Sequence, residues 1–397
     1  MLIGQEVTVL GAGIGGLAAA IALARRGASV EVLEQAAELG EVGAGIQISP
    51  NGARVLGALG LGAELSRIGL QAEAVELRDG LAGRTILRIG LAERGPEMRG
   101  WFLHRADLVG MLGAAAVAAG VRIRFGRRIE EVVLADDGPH LCEAGAAPRR
   151  VALLVGADGI HSRLRVAMGG AAKPFFTGAI AWRATIPAEG AEPPVAEIHA
   201  GPRRHVVSYP LRGGSLRNIV AVETRTRWVE ESWSLREDGV ALRAGFADFG
   251  PRVRGWLDQA AEPWLWGLFR HPVAQRWGWV APAAPTRGAV LIGDAAHPTL
   301  PFLAQGANMA LEDGFVLARA LADQDALDAA LMVYEGARAP RCRRIVDASS
   351  GAARLYHLGP PVRDLAHLAM RAANALAPGL VARRYDWIHR HDATRQG

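Results

Sequence analysis

The hydrophobic positions of this chain change their spacing three times. Near the start, "EVTVLG" and "SVEVLE" are short, apolar and β-branched. Between them, "GIGGLAAAIALARRG" carries apolar residues at helical spacing until Gly27 stops it. This predicts a β-α-β unit, and later runs alternate similarly up to "RVALLVGADG" around residues 150–159. Ala135–Pro148, with Asp-Asp-Gly-Pro and then Gly and Ala, reads as a solvent-facing hairpin. From Phe175 to about Val222 the period falls to two: "GAIAWRATI", "AEIHAG", "RHVVSYPLRGG" and "RNIVAVE" follow one another across Gly and Pro turns, without a helix. That predicts an antiparallel sheet packed beside the first unit. Helical spacing resumes from about Trp233 to Phe269. "AVLIGD" then returns to buried-strand character, and helices fill most of the remainder to Gly397. There is no internal repeat.

At 397 residues the chain is long enough for two packed cores. Half of it is hydrophobic and 21% is charged, the balance of a compact soluble protein. Cys142 and Cys342 stand in no CxxC pair and beside no histidine cluster, so neither a disulfide framework nor a metal site is expected, and a reducing cytosol is the default. The first strand is reached by Val7 without a basic-then-apolar leader. No run approaches the ~18–20 apolar residues that span a bilayer. The expectation is a cytoplasmic protein without a membrane partner. The net charge is +5, and its arginines are scattered rather than clustered with aromatics, which argues against nucleic acid. A mildly basic surface suits small anions, although a solvated surface explains it equally.

"GAGIGG", from Gly11 to Gly16, places glycines at Gly11, Gly13 and Gly16 between a strand and a helix. The first permits a tight turn, the second lets a pyrophosphate reach the backbone, and the third lets the helix pack on the strand with its positive end toward the phosphates. Glu34 ends the second strand, where an acid accepts hydrogen bonds from an adenosine ribose and disfavours a 2′-phosphate. The fingerprint alone does not separate NAD from FAD; two further stretches do. "GADGIHSRLR" and "LIGDAAHP" put Asp158 and Asp294 just after buried strands, and a strand-terminal Asp reaches the sugar-alcohol chain of a flavin. The helix opening at Gly306 aims free N–H groups at the edge of a flavin ring, where negative charge gathers on reduction.

Five stretches in order, "GAGIGG", "GAGIQISPNG" (Gly43–Gly52), "HRADL" (His104–Leu108), "GADGIHSRLR" and "GDAAHP…QGANMALED", carry a family likeness over nearly the whole chain. The sequence resembles the single-component (class A) FAD-dependent aromatic hydroxylases, the group of 4-hydroxybenzoate hydroxylase. Within it, the sequence is most similar to the branch of salicylate hydroxylase, 3-hydroxybenzoate 6-hydroxylase and 6-hydroxynicotinate 3-monooxygenase. The resemblance implies an α/β fold: a Rossmann-like FAD-binding domain (1–174 and 281–330), an inserted antiparallel-sheet substrate domain (175–280) and a C-terminal helical segment (331–397). It implies that Gly11, Gly13, Ile14, Gly16 and Glu34 hold the ADP half of FAD and that Arg105 reaches the ribose or pyrophosphate. Gly45 then approaches the flavin ring, Asp294 takes the ribityl chain, and Gly306, Ala307 and Asn308 present backbone to the ring. Asp158 serves FAD and NAD(P)H handling, partly by ordering Arg163. NADH or NADPH is a transient donor with no domain of its own. The implied reaction hydroxylates a phenolic or hydroxyaromatic carboxylate through a flavin hydroperoxide, in a monomer or homodimer.

On the strand "RHVVSYPLR", alternation sets His205, Val207, Tyr209 and Leu211 on one face, with His205 and Tyr209 ~13 Å apart. The resemblance implies that His205 is the catalytic base, with Tyr209 placed to bracket a ligand with it; a core or rim histidine without a chemical role is the alternative. Gln47 stands about where the hydroxynicotinate enzyme has a histidine. Pro301 and Phe302 depart from relatives that place Gln or His there, which points to a more apolar pocket. Trp182 and Arg183 read as structural, and His297 as a loop-fixing residue. Three other functions remain open: a monooxygenase or epoxidase of a larger apolar substrate, an FAD dehydrogenase or oxidase that transfers no oxygen, and a non-catalytic dinucleotide-binding protein.

Overall fold

The computed structural model describes residues 2–40, 44–170, 174–188, 192–225, 235–376 and 383–395; Gly43, and Trp233 at the start of the expected helical stretch, lie outside them. The first β-α-β unit runs Glu6–Leu10, Ile14–Ala24 and Ser29–Leu33. Its strands join a six-stranded sheet ordered Gly278–Ala281, Ala284–Leu291, Leu153–Gly156, Glu6–Leu10, Ser29–Leu33, Arg122–Arg124. All pairings are parallel except the first, an antiparallel edge. Val9, Val32, Val155 and Val290 are buried, and the antiparallel ribbon Ile129–Ala135 and Gly138–Glu143 packs Val132 and Leu141 into the same core, so the hairpin expected to face solvent buries one of its sides. Leu10 is in register with Leu33 and Gly156, and Gly156 with Leu291. Gly11, Glu34, Ala157-Asp158 and Gly293-Asp294 therefore emerge together at the carboxyl ends of the strands, where open α/β sheets hold ligands.

The second sheet has seven strands: Trp264–Arg270, Phe175–Pro187, Leu216–Thr224, Arg204–Leu211, Val195–Gly201, Ala74–Asp79 and Thr85–Gly90. It is antiparallel apart from the pairing of Val195–Gly201 with Ala74–Asp79. Its last two strands come from early in the chain, so a boundary at residue 175 leaves them on the other side of the division. One face buries Ile180, Trp182, Val206 and Ile219 against Phe246, Phe249, Val253 and Leu257, from and beside the helices Gly239–Gly245 and Pro251–Asp258.

The expected helix to Phe269 ends sooner. Trp264–Arg270 is an edge strand, because Pro263 interrupts helical pairing and "WLWGLFR" buries Leu265 toward the helices while Trp266 faces the other way. After the parallel sheet come the helices Gly306–Asp323, Leu327–Tyr356, Val362–Leu376 and Asp386–His389. No helix among the described residues is long and apolar enough to cross a membrane.

Candidate active site

A cavity of about 610 Å³ runs from the glycine turn, past the carboxyl ends of the parallel sheet, to the free face of the seven-stranded sheet. At the first end Gly11 has φ 97°, and a Cβ on Gly16 would lie 2.0 Å from the Gly11 carbonyl oxygen, so this crossing accepts only glycine. The first bond of the following helix runs from Leu17 N–H to the Gly13 carbonyl. The N–H groups of Ile14, Gly15 and Gly16 thus lack helical acceptors, an arrangement suited to an anion. Glu34 closes the turn: its carboxylate accepts from Ala12 N–H at 2.7 Å and Ala36 N–H at 2.8 Å.

Asp158 accepts from Arg163 N–H at 2.8 Å through one oxygen, while the other is buried without a hydrogen-bond partner. Burial raises its pKa, opposed by hydrogen bonds from Ser162 and Arg163. Asp294 lines the cavity and keeps access to it, though protein surrounds it on the other sides. That enclosure raises its pKa, with His297, Arg105 and His271 opposing. Arg105 lines the same groove; its pKa is lowered by burial and partly restored by Asp294. Two helix openings, an orphaned carboxylate oxygen and an Arg–Asp pair along one groove fit a long cofactor with a diphosphate in its middle.

Beyond Asp294, the helix Gly306–Asp323 opens without a side-chain cap, and its first bond joins Met309 N–H to Gln305. Gly306 and Ala307 line the cavity with N–H groups lacking helical acceptors. The Asn308 side chain faces elsewhere: it accepts from Ser49 N–H at 3.0 Å and donates to the carbonyls of Gln47 and Ala304 at 3.1 and 2.8 Å. It thereby ties the strand Gly45–Ile48 to the helix opening. Gly45 donates to Asn218 Oδ1 at 2.7 Å, and a Cβ there would lie 2.7 Å from both Asn218 and Tyr209.

Beneath this opening lies a buried ionic network. Asp313 accepts from Gly293 N–H at 2.9 Å and Arg338 at 2.8 Å, and meets His297 Nε2 at 2.5 Å. Glu312 meets Asn51 at 2.7 Å, Arg338 at 2.5 Å and Arg341 at 2.9 Å. Despite burial, Arg338 and Arg341 hold Glu312 at about 2, and His297 and Arg338 hold Asp313 at about 2. Against the same burial, Asp313 raises His297 well above the imidazole range. His297 thus fixes the loop after Asp294. Cys342 lies close to this pair, but Arg338 contacts both Asp313 and Cys342, which makes the cluster an ion pair rather than a cation site.

The far wall of the cavity is the sheet face carrying Ala181, Arg183, Val207, Tyr209, Val220 and Val222, with Pro301 and Phe302 opposite. Tyr209 is buried against Phe102 at 4.9 Å between ring centroids. Burial pushes its phenol up, while Arg183 and a hydrogen bond with Gln47 oppose that. His205, 2% exposed, is covered by Phe302 and Tyr356 and hydrogen-bonded through Nδ1 to His357 Nε2 at 2.7 Å. Burial and His357 push its pKa well below the imidazole range.

Arg183, which reads as structural in the sequence, stands in the wall of the cavity. It faces the cavity while Trp182 faces the helices, an alternation visible in "AWRAT". Its guanidinium lies 4.2 Å over Trp266 and donates to the Gly45 carbonyl at 3.3 Å; its Nε is buried without a partner. No carboxylate among the described residues pairs with it. Burial lowers its pKa to about 10, so it remains a cation at neutral pH. Of the residues expected at the site, Gly13, Ile14, Gly45, Gln47, Arg105, His205, Tyr209, Asp294, Pro301, Phe302, Gly306 and Ala307 line the cavity. Gly11, Gly16, Glu34, Asp158 and Asn308 stand behind or beside it.

Residues 5–238 and 281–349 match the family described as FAD binding domain. A 3-amino-4-hydroxybenzoate 2-monooxygenase of Streptomyces platensis is 35% identical over 99% of this chain and 97% of its own length. A 3-hydroxybenzoate 6-hydroxylase of Klebsiella oxytoca is 33% identical over 92% of each. Among solved structures, a salicylate hydroxylase substrate complex superposes with a TM-score of 0.78 at 23% identity, covering 98% of this chain and 96% of that one.

Proposed function

The chain belongs to the FAD binding domain family and is an FAD-dependent aromatic-ring monooxygenase, and we propose that its substrate is a hydroxyaromatic carboxylate held by Arg183. The observation that carries this substrate class is a single cation without a carboxylate partner among the described residues, set in an apolar wall between Tyr209 and Trp266. A planar guanidinium with a free buried N–H is suited to a carboxylate, and the aromatic and aliphatic walls to a ring.

Gly13, Ile14 and Gly15 would receive the FAD diphosphate, Asp294 and Arg105 its middle, and the Gly306–Ala307 opening its ring. Bound FAD, reduced by NADH or NADPH, supplies oxygen activation. The chain's own task is to orient the ring, exclude water and draw off the phenolic proton, because the phenolate is the better nucleophile. His205, kept neutral by burial, accepts that proton; Tyr209, a neutral phenol bonded to Gln47, positions the ring oxygen. Pro301 and Phe302 keep the wall above His205 dry. We place the protein in a reducing cytosol, in keeping with its free Cys142 and Cys342.

The sheet edge beyond Tyr209 supports a second reading within the class. Val75, Leu77, Leu87, Ile89 and Ile198 continue the cavity as an apolar wall, which fits a ring bearing an apolar substituent. A panel of 3-amino-4-hydroxybenzoate, 3-hydroxybenzoate, salicylate, 6-hydroxynicotinate and alkylated analogues tests both readings, with NAD(P)H oxidation measured beside product. Product from at least one carboxylate, and none from its decarboxylated phenol, is expected. Equal product from the uncharged phenols would overturn the carboxylate assignment.

A further inference from the structure

The mechanism so far leaves His205 holding a proton in a sealed place. Its ring is nearly inaccessible, covered by Phe302 at 5.7 Å, Tyr356 at 5.2 Å and His357 at 4.9 Å between centroids. Its strand neighbours in register, Ala200 and Val222, are apolar. His357 follows directly on the long helix Leu327–Tyr356, 152 positions further along the chain, and is partly exposed. The two rings meet at 2.7 Å, Nδ1 to Nε2. The main chain fixes this meeting independently, since the His357 carbonyl accepts from Arg203 N–H at 3.1 Å, two residues before His205.

We propose that His357 is the proton outlet of His205: the proton taken from the substrate at one ring nitrogen leaves from the other, crosses to His357 Nε2 and reaches solvent from His357. This rests on the reading of His205 as the base. His357 touches no substrate and acts through His205, so it is a positioning residue.

The transfer balances without a redox partner. The substrate O–H bond breaks as an N–H bond forms at His205 Nε2. The His205 Nδ1–H bond breaks as one forms at His357 Nε2, and His357 Nδ1–H yields its proton to water. The pair carries no net charge before or after, and reprotonation of the product oxygen along the same path resets both rings. A neutral imidazole pair conducts in this way because each ring has one donor and one acceptor nitrogen.

The electrostatics agree. Burial lowers His357 to about 4, and no carboxylate among the described residues acts on either ring; apart from each other, the titratable group facing His205 is Tyr356. A phenol with an ordinary pKa of about 10 therefore cannot leave its proton resting on either imidazole near neutrality. The proton has to pass through to bulk water.

The test compares FAD-loaded wild type, His357→Gln, His357→Ala and His205→Asn, with 3-hydroxybenzoate and 3-amino-4-hydroxybenzoate as probes. The reduced enzyme–substrate mixture is exposed to oxygen, and product is read against time, pH and added imidazole. Gln keeps a hydrogen bond to His205 but cannot pass a proton. The expected result is at least a tenfold slower product step in both His357 variants, of the order general acid–base groups supply. FAD content and KM stay unchanged, and imidazole restores His357→Ala in proportion to its neutral fraction. His357→Gln at the wild-type rate would mean a structural role and overturn the proposal, as would slowing that imidazole does not relieve. If His205→Asn itself runs at the wild-type rate, the reading of His205 as base fails first; if it is slow while His357→Gln is not, the outlet alone fails.

Discussion

Replacing Arg183 by Met separates substrate binding from folding in one variant. In the free protein the guanidinium is held about 10, below an ordinary arginine, by burial. It is charged at pH 7 both folded and unfolded, so burial penalises the folded form by on the order of 3 kcal/mol. Arg183 keeps some access to the cavity, which makes that figure an upper bound. Met retains the apolar stem but loses the contact over Trp266 and the bond to Gly45, about 1 kcal/mol each. The substrate-free variant should therefore melt no lower than wild type. Binding should respond in the opposite sense. Truncating one partner of a buried, hydrogen-bonded charge pair costs about 2–5 kcal/mol, a loss of about 30- to several-thousand-fold in affinity. The assay is titration of the FAD-loaded enzymes with a hydroxybenzoate and with the matching uncharged phenol. Only the carboxylate should weaken in the variant. Equal weakening of both ligands, or a variant several degrees less stable with unchanged carboxylate affinity, would refute the account of Arg183.

Other expectations follow from the same geometry. His205→Asn should lower the rate of product formation about 10²–10⁴-fold with FAD content unchanged, read as product against time beside product per NAD(P)H; a wild-type rate at wild-type coupling would remove His205 from the mechanism. Gly45→Ala drives a Cβ to 2.7 Å from Asn218 and Tyr209, so it should cost about 1–3 kcal/mol, seen as a lowered Tm; an unshifted Tm would show that the strand moves aside. Glu312 and Asp313 are held at about 2, below their unfolded values. Their contribution is fully present above about pH 4.5 and is lost as the pH falls toward 2. Acid titration of Asp313→Asn against wild type measures it, and identical acid limbs would contradict the network.

The parts of the site built from backbone are legible in the sequence. Gly11–Gly16, Glu34, Asp294 and the Gly306 opening each follow a strand end or begin a helix, so local pattern alone places them at one edge. The His205–Tyr209 face follows from period-two alternation. Arg183 is harder to read, because the strand is buried on both faces and "AWRAT" does not say which side meets a cavity. Its stacking partner Trp266 lies in a stretch of helical spacing that only Pro263 interrupts. His357 carries no local signal: it reaches His205 only because a 30-residue helix delivers it across the molecule. The strands Ala74–Asp79 and Thr85–Gly90 were equally hidden, since joining the second sheet is a long-range pairing that no turn signal announces.

Oxygen transfer is the central claim, and isotopic oxygen tests it most directly. With FAD-loaded enzyme, NAD(P)H, the hydroxyaromatic carboxylate that gives most product and ¹⁸O₂, the account predicts a ring-hydroxylated product carrying one ¹⁸O atom. A product oxidised without ¹⁸O, or hydroxylated with oxygen from water, would contradict it.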